Sequence, residues 1–264
     1  MSRTRDPLTS EPYFRGGDGQ PLVLLHGGTD TWHTWEDVLP LLTPHHDVLA
    51  PTLPGHSGGP ALPGRASIEL FADGAEAVMD EAGFATAHLA GNSLGGWVAM
   101  ELARRERARS VVVLSPAGGW TPPARRLRRL SVNSERQLRF GKAVLPLMLR
   151  SPALRRMAFR RFARRGDRLT PEQALQGCLR VLDADFPLVL SILESRITPY
   201  PDPGVRVLLA WAEHDRFLPS PKYSDAWRAA APFAEWRILP GVGHVPMIDD
   251  PQLVAQTIHD WATR

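Results

Sequence analysis

Cysteine is almost absent from this chain, which contains a single one, Cys178, in 264 residues. One thiol excludes an intrachain disulfide and fits a reducing compartment. The chain also lacks an apolar run long enough to span a membrane, and its first residues lack the apolar stretch of a signal peptide. No cluster of His, Cys, Asp and Glu has metal-ligand spacing. We therefore expect a cytoplasmic protein with no membrane partner, no metal and no organic cofactor.

Lysine is scarce, since only Lys142 and Lys222 accompany the arginines, and the basic charge is unevenly distributed. Residues 120–200 carry 17 Lys and Arg against 6 Asp and Glu, although the net charge of the whole chain is only +3. This segment could attract an anionic substrate or a nucleic acid, or it could be a set of solvated helix faces. No zinc-finger or RNA-binding signature accompanies it, so the sequence favours solvated helices and no nucleic-acid partner.

Short apolar runs alternate with amphipathic stretches along the chain, which is typical of a parallel sheet covered by helices on both faces. The runs with strand character are Pro21 to Leu25, Val48 to Ala50, Ala87 to Ala90, Ser110 to Leu114, Val205 to Trp211 and Trp236 to Leu239. Helical patterns cover 67–82, 94–107, 223–231 and 251–263. The sequence therefore predicts an α/β fold.

About ninety residues between the fourth and fifth of these runs carry no strand signal. Prolines and glycines there interrupt arginine-rich helical patterns, and compact domains rarely contain a plain loop of this length. We therefore predict a helical cap, residues 117–203, inserted into a core formed by residues 1–116 and 204–264. The cap is expected to lie over the carboxyl ends of the strands.

A serine lies at the centre of the G-x-S-x-G segment Gly91-Asn92-Ser93-Leu94-Gly95, between an apolar run and a helical pattern. This strand-turn-helix context predicts a nucleophile elbow, in which the two glycines leave room for a sharp turn. A surface turn with the same five residues is the alternative interpretation.

A nucleophilic serine in this fold needs an acid and then a histidine later in the chain. Asp215 follows the run that ends at Trp211, and His244 follows the next run, so both are placed at strand ends. Glu213 competes with Asp215 as the acid, and either proposed partner of Ser93 could instead have a structural role. The order of the three residues favours a catalytic triad.

Paired glycines at 27 and 28 follow the first strong strand and predict an oxyanion hole. The backbone N–H groups of Gly28 and Leu94 could donate to a developing oxyanion. His26 is expected to brace this loop, because the oxyanion hole needs the glycine backbone and not the imidazole.

Five segments together resemble the α/β-hydrolase superfamily, over essentially the whole chain. They are His26-Gly27-Gly28, Pro54-Gly55-His56-Ser57, Gly91-Asn92-Ser93-Leu94-Gly95-Gly96, Asp215-Arg216-Phe217-Leu218-Pro219 and Gly243-His244-Val245-Pro246. The resemblance implies a mostly parallel twisted sheet of about eight strands flanked by helices, with the helical cap after strand 6. It also implies that Ser93 is the nucleophile, His244 the base and Asp215 the acid, with Gly28 and Leu94 as oxyanion donors.

Two differences from the motifs of relatives affect which type of reaction is expected. Serine at the elbow argues against the epoxide-hydrolase and haloalkane-dehalogenase branches, which need a carboxylate to form an alkyl-enzyme ester. Relatives that cleave carbon–carbon bonds often have a longer Gly-Gly-Gly-Pro-Gly loop. In this chain Thr29-Asp30-Thr31-Trp32 follows Gly28 instead, which weakens the carbon–carbon interpretation without removing it.

These observations predict a serine hydrolase that cleaves a small ester, thioester or lactone through an acyl-enzyme. Carbon–carbon hydrolysis, acyl transfer or cofactor-free perhydrolysis on the same triad are alternatives, and a non-catalytic ligand-binding protein is an alternative of another class. The expected partner is a small-molecule acyl substrate, and a homo-oligomer is possible. Candidate residues for an apolar substrate pocket are Trp32, Asn92, Trp97 and Trp120, although each could equally belong to the core or the framework.

Overall fold

The computed structural model describes residues 12–264, in which seven strands form one sheet. They are β1 (Tyr13–Gly16), β2 (Gln20–Leu25), β3 (His46–Pro51), β4 (Ala87–Asn92), β5 (Ala108–Leu114), β6 (Arg206–Ala212) and β7 (Glu235–Leu239). Their order is β1-β3-β2-β4-β5-β6-β7, with β1 antiparallel to β3 and all other neighbours parallel.

The predicted α/β class with a mostly parallel sheet is confirmed, with a difference in the strand count. Within residues 12–264 the sheet has seven strands instead of about eight, and the long helical segment follows the fifth strand and not the sixth. The reason is that only one short strand, β1, precedes β2 in this part of the chain.

Helices cover both faces of the sheet and fill the long segment between β5 and β6. Those of the sheet region are α1 (Leu39–Leu42), α2 (Ile68–Glu81), α3 (Leu94–Arg104), α9 (Ser224–Ala230), α10 (Pro246–Asp249) and α11 (Pro251–Ala262). Those between β5 and β6 are α4 (Arg125–Gly141), α5 (Leu145–Met148), α6 (Pro152–Phe159), α7 (Pro171–Asp183) and α8 (Phe186–Val189). None of the helices in residues 12–264 is long and apolar enough to cross a membrane.

Strand β2 shows how the sheet buries both of its faces. Val23 and Leu25 pack into the core on the side of α2 and α3, while Leu22 and Leu24 pack into a second core on the side of α1 and α11. Successive side chains of a strand point to opposite faces, so a continuous apolar run suits a central strand covered on both sides.

Helix boundaries follow local capping chemistry. Helix α2 begins after Ser67, whose side chain accepts a hydrogen bond from the Leu70 N–H, and Gly83 beyond its end has a φ of +78°. Helix α3 ends at Arg104, three residues before the predicted end, and Glu106 beyond it has a left-handed φ of +61°. The helix therefore ends three residues before the end of the helical pattern in the sequence.

Candidate active site

Ser93 lies on the turn between β4 and α3, at the carboxyl edge of the sheet. Its φ and ψ are +54° and −114°, a conformation that non-glycine residues rarely adopt. Four hydrogen bonds hold this backbone: the Ser93 N–H donates to the Leu114 carbonyl at 3.0 Å, and the Ser93 carbonyl accepts from the N–H groups of Gly96, Trp97 and Ala117. The unusual conformation is therefore determined by the neighbouring strand and helix.

The two glycines of the motif are required by close approaches of backbone. A Cβ atom on Gly91 would overlap the carbonyl group of Gly95, and one on Gly95 would overlap the carbonyl group of Leu25. Any side chain at either position would push α3 away from the sheet. The G-x-S-x-G spacing is thus explained by packing around the elbow.

Asp215 and His244 form a buried pair at the ends of β6 and β7. His244 Nδ1 lies 2.7 Å from Asp215 Oδ2, and both side chains are almost fully buried. The other carboxylate oxygen, Oδ1, accepts hydrogen bonds from the N–H groups of Phe217 at 2.9 Å and Leu218 at 2.6 Å. Both Asp215 oxygens are therefore occupied, and the carboxylate can hold the imidazole in one orientation.

Burial by itself would raise the pKa of Asp215, but the neighbouring groups outweigh it. The charge interaction and hydrogen bond with His244, together with the two backbone N–H donors, lower the pKa below its ordinary value. Asp215 is consequently a carboxylate at neutral pH, which is the state that accepts the Nδ1–H of His244.

Glu213, the competing acid, is directed elsewhere. Its carboxylate accepts a hydrogen bond from the Gly241 N–H at 2.8 Å and lies 3.4 Å from the exposed His214 ring. It therefore supports the turn before His244 from outside, and Asp215 is the carboxylate in contact with the imidazole.

Asn92 ties the elbow to the histidine loop. Its side-chain amide donates to the Leu114 carbonyl at 3.0 Å and to the His244 carbonyl at 2.8 Å. Both amide hydrogens are thus used by the framework, although Asn92 also lies in the cavity wall. Its predicted substrate-binding role is less well supported than a positioning role.

His26 braces the glycine loop, as expected from the sequence. Its Nε2 accepts from the Leu53 N–H at 2.9 Å, which leaves the proton on Nδ1 to donate to the Gly27 carbonyl at 2.7 Å. Burial lowers the pKa of His26 to about 4, so the ring is neutral. The imidazole thereby fixes the start of the loop that carries Gly28.

A cavity of about 240 Å³ lies between the sheet edge and the helices of the segment 117–203. Its wall includes Gly28, Ser93, Leu94 and His244, so the predicted nucleophile, base and oxyanion donors face one space. Ser93 and His244 therefore line a common cavity, as a nucleophile and its base must.

The structure places the three tryptophans predicted to line a pocket in different positions. Trp120 lies in the cavity wall, and its indole N–H donates to the Ser195 carbonyl at 2.9 Å. Trp97 is buried in the core beneath it, with the two ring centroids 6.0 Å apart. Trp32 packs on the other face of the sheet against His33 and Phe14. Trp97 and Trp32 are therefore part of the framework and do not line the pocket.

Most of the cavity wall comes from residues that the sequence interpretation did not single out. One face of α4 supplies Leu127, Leu130, Ser131, Ser134, Glu135 and Leu138. This spacing of three and four residues places them on one side of the helix. The signal was present as apolar positions in an arginine-rich helix, but only the position of α4 above the sheet shows what that face contacts.

Comparisons with known proteins agree with this architecture. The chain is 35% identical over 211 residues to epoxide hydrolase EphH of Mycobacterium tuberculosis, covering 73% of this chain and 93% of that protein. It is 34% identical over 134 residues to 2-hydroxymuconate semialdehyde hydrolase of a Pseudomonas species, covering 43% and 47%. A thermophilic esterase from Thermogutta terrifontis has the same fold, with a TM-score of 0.72 at 24% identity over 94% of this chain and 91% of that one.

A family model described as the alpha/beta hydrolase family matches residues 22–257, which include the elbow, the buried Asp215–His244 pair and the glycine loop. The protein is a hydrolase, and the chain belongs to the alpha/beta hydrolase family.

Proposed function

We propose that the protein is a serine hydrolase that cleaves a small ester, thioester or lactone through an acyl-enzyme on Ser93. The observation that carries the proposal is the buried Asp215–His244 contact of 2.7 Å, which lies beside a cavity that Ser93 also lines. A serine hydroxyl needs a neighbouring base to become nucleophilic at neutral pH, and a histidine held by a carboxylate supplies one.

In the proposed mechanism, Nε2 of His244 takes the hydroxyl proton as the Ser93 oxygen attacks the substrate carbonyl. Asp215 holds the Nδ1–H and offsets the positive charge that forms on the ring. The N–H groups of Gly28 and Leu94 bind the oxyanion, after which His244 gives its proton to the departing group. Water then attacks the acyl-enzyme by the same route and releases the acid.

The segment 117–203 is proposed to act as a cap that selects the acyl group. Support comes from the cavity wall, because three of the six residues that α4 contributes are leucines, and Phe159, Val181 and Phe186 of the same segment add further apolar surface. Sites for small molecules are mostly apolar with a few placed polar groups. An apolar acyl chain fits this wall better than a strongly polar one.

The test is labelling with a fluorophosphonate, together with hydrolysis of p-nitrophenyl esters. Wild-type protein is expected to be labelled and active, and Ser93→Ala to lose labelling and about 10⁴-fold or more of kcat. Ser131→Ala is the matched control, because Ser131 lies in the wall of the same cavity. Wild type that neither labels nor hydrolyses any acyl ester would overturn the proposal.

Epoxide opening is a second candidate reaction, because of the 35% identity to a protein named an epoxide hydrolase. Attack of Ser93 on an epoxide carbon would form an alkyl ether, which has no carbonyl for water to attack. Each enzyme molecule would therefore react with one epoxide and not turn over. Styrene oxide is expected to give no diol with wild type, and steady diol formation that Ser93→Ala abolishes would favour this second reaction over ester cleavage.

A further inference from the structure

The outer surface of the helical segment exposes a group of apolar side chains, which we call the α4–α5 patch: Phe140, Val144, Leu147 and Met148. Phe140 is 84% exposed and Leu147 is 70% exposed. Backbone hydrogen bonds from Val144 N–H to the Gly141 carbonyl and from Met148 N–H to the Val144 carbonyl keep this stretch in helical turns. Val144, Leu147 and Met148 are three or four residues apart on this helical turn, and Phe140 precedes them at the end of α4, so four of nine consecutive residues expose apolar side chains.

The opposite side of the same stretch is already packed. Leu145 and Leu149 are buried against Ala174 and Cys178 of α7. The stretch is thus apolar on two sides, although only the inner side has a partner among residues 12–264. Single apolar side chains are common on protein surfaces, whereas several large ones exposed together usually mark an interaction site.

Positive charge surrounds the patch in the sequence. Between Glu135 and Glu172 the chain carries 11 Lys and Arg and one acidic residue, Asp167. Arg136, Lys142 and Arg150 flank the patch and are exposed, and none of the three side chains forms an ion pair with a residue in the described range 12–264. Exposed apolar side chains beside unpaired cations suit the interface of an anionic bilayer, where the apolar groups insert and the cations meet lipid phosphates.

A second copy of the chain fits the patch less well. In a two-fold symmetric dimer the same patch would face itself, so the unpaired cations of the two copies would be brought together. Repulsion between them would oppose the apolar contact, whereas an anionic lipid surface satisfies both features.

We propose that the α4–α5 patch docks the protein on anionic lipid bilayers as a peripheral protein. The sequence expectation of no membrane partner rested on the absence of a spanning segment, and surface docking does not need one. Helix α4 also lines the cavity with its other face, so a docked protein would hold that wall close to the lipid. The inference goes beyond the proposed reaction and does not depend on Ser93.

Co-sedimentation with vesicles tests this docking. Wild type is expected to bind vesicles that contain phosphatidylglycerol and not vesicles of phosphatidylcholine alone. Binding should weaken as salt rises from about 0.1 M to about 1 M, because the screening length falls from about 10 Å to about 3 Å. The Phe140→Ser/Leu147→Ser double variant is expected to bind at least about tenfold more weakly, since two large apolar groups no longer insert.

Ile238→Ser is the matched control, because Ile238 is an apolar residue of β7, 43% exposed and outside the patch. It should bind vesicles like wild type, as should Ser93→Ala, which separates docking from the proposed reaction. Unchanged thermal melting would show that the exposed substitutions leave the fold intact. The proposal would be overturned if wild type did not bind anionic vesicles, or if the double variant bound them as strongly as wild type. A wild-type dimer that the double variant abolishes, without vesicle binding, would show that a second copy covers the patch.

Discussion

All nine histidines of the chain lie within residues 1–116 and 204–264, and the segment 117–203 contains none. More than half of the Lys and Arg residues lie in 120–200. Nearly all the buried polar side chains belong to the sheet region, and some of them are held by hydrogen bonds on every side, as Asn92 and Asp215 illustrate. Polar side chains of the helical segment mostly face solvent, as at Arg136 and Lys142.

This difference separates two tasks. Precise hydrogen bonds in the sheet region fix the relative positions of the groups that would carry out the reaction. The helical segment instead offers a mostly apolar inner wall and a basic outer surface, and we propose that these decide which molecules reach those groups. Its single thiol, Cys178, is buried, and burial raises its pKa to about 11, so it packs and is not a competing nucleophile.

The largest expected effect comes from breaking the buried pair. In Asp215→Asn the remaining oxygen can still accept from the N–H groups of Phe217 and Leu218, while the new amide faces Nδ1 of His244. Because that amide donates a hydrogen bond, it favours the tautomer with its proton on Nε2, which cannot accept the Ser93 proton. We expect kcat for a p-nitrophenyl ester to fall about 10⁴-fold with little change in KM.

Glu213→Gln is the control for this prediction, because a glutamine oxygen can still accept from the Gly241 N–H. Its kcat is expected to stay within about twofold of wild type. A larger loss in Glu213→Gln than in Asp215→Asn would exchange the assignments of the two acids.

An intermediate effect is expected from filling the cavity from the cap side. Gly177 of α7 lies in the cavity wall, and a Cβ atom there would meet no atom within 4 Å. A Cβ atom therefore fits without moving the helix, and the rest of a leucine side chain would occupy part of the cavity, so Gly177→Leu should raise KM for octanoyl esters about tenfold while leaving acetyl esters nearly unchanged.

Gly177→Ala is the control that separates the effect of side-chain volume in the cavity from the effect of replacing a glycine in the helix. Both substitutions replace a glycine within a helix, so both should stabilise the protein by about 0.5–1 kcal/mol. Thermal melting measures that gain, and only the leucine variant should discriminate between chain lengths. Equal losses for octanoyl and acetyl esters would mean that the acyl chain does not lie along α7.

The sequence predicts the positions of the candidate catalytic residues better than it predicts the lining of the pocket. Ser93, Asp215 and His244 could be placed because parallel strands end at a common edge, so strand order and chain order together determine proximity. Trp32 and Trp97 lie away from the cavity wall, which the sequence does not show, because the face of the sheet on which an aromatic side chain packs depends on the assembled fold. The inner face of α4 was missed because its leucines become a cavity wall only when the helix lies over the elbow.

The prediction with the smallest expected effect on activity is a pH dependence of stability that originates in the sheet region. Burial lowers the pKa of His26 to about 4 from 6.5 in the unfolded chain. Between these values the unfolded state binds a proton that the folded state does not, so the free energy of unfolding falls as the pH falls from 6.5 towards 4. Each such histidine adds up to about 1.4 kcal/mol per pH unit to this slope.

Urea unfolding of wild type and His26→Gln between pH 6.5 and 4 measures how much His26 contributes to the pH dependence of the free energy of unfolding. Because a glutamine can still bridge the Leu53 N–H and the Gly27 carbonyl without titrating, the slope for His26→Gln should be shallower by up to one proton equivalent. His214→Gln, which removes an exposed histidine, controls for the loss of an imidazole. Equal slopes for wild type and His26→Gln would mean that the buried ring of His26 takes up its proton without cost. The division between a titratable sheet region and a helical segment without histidine would then not govern acid stability.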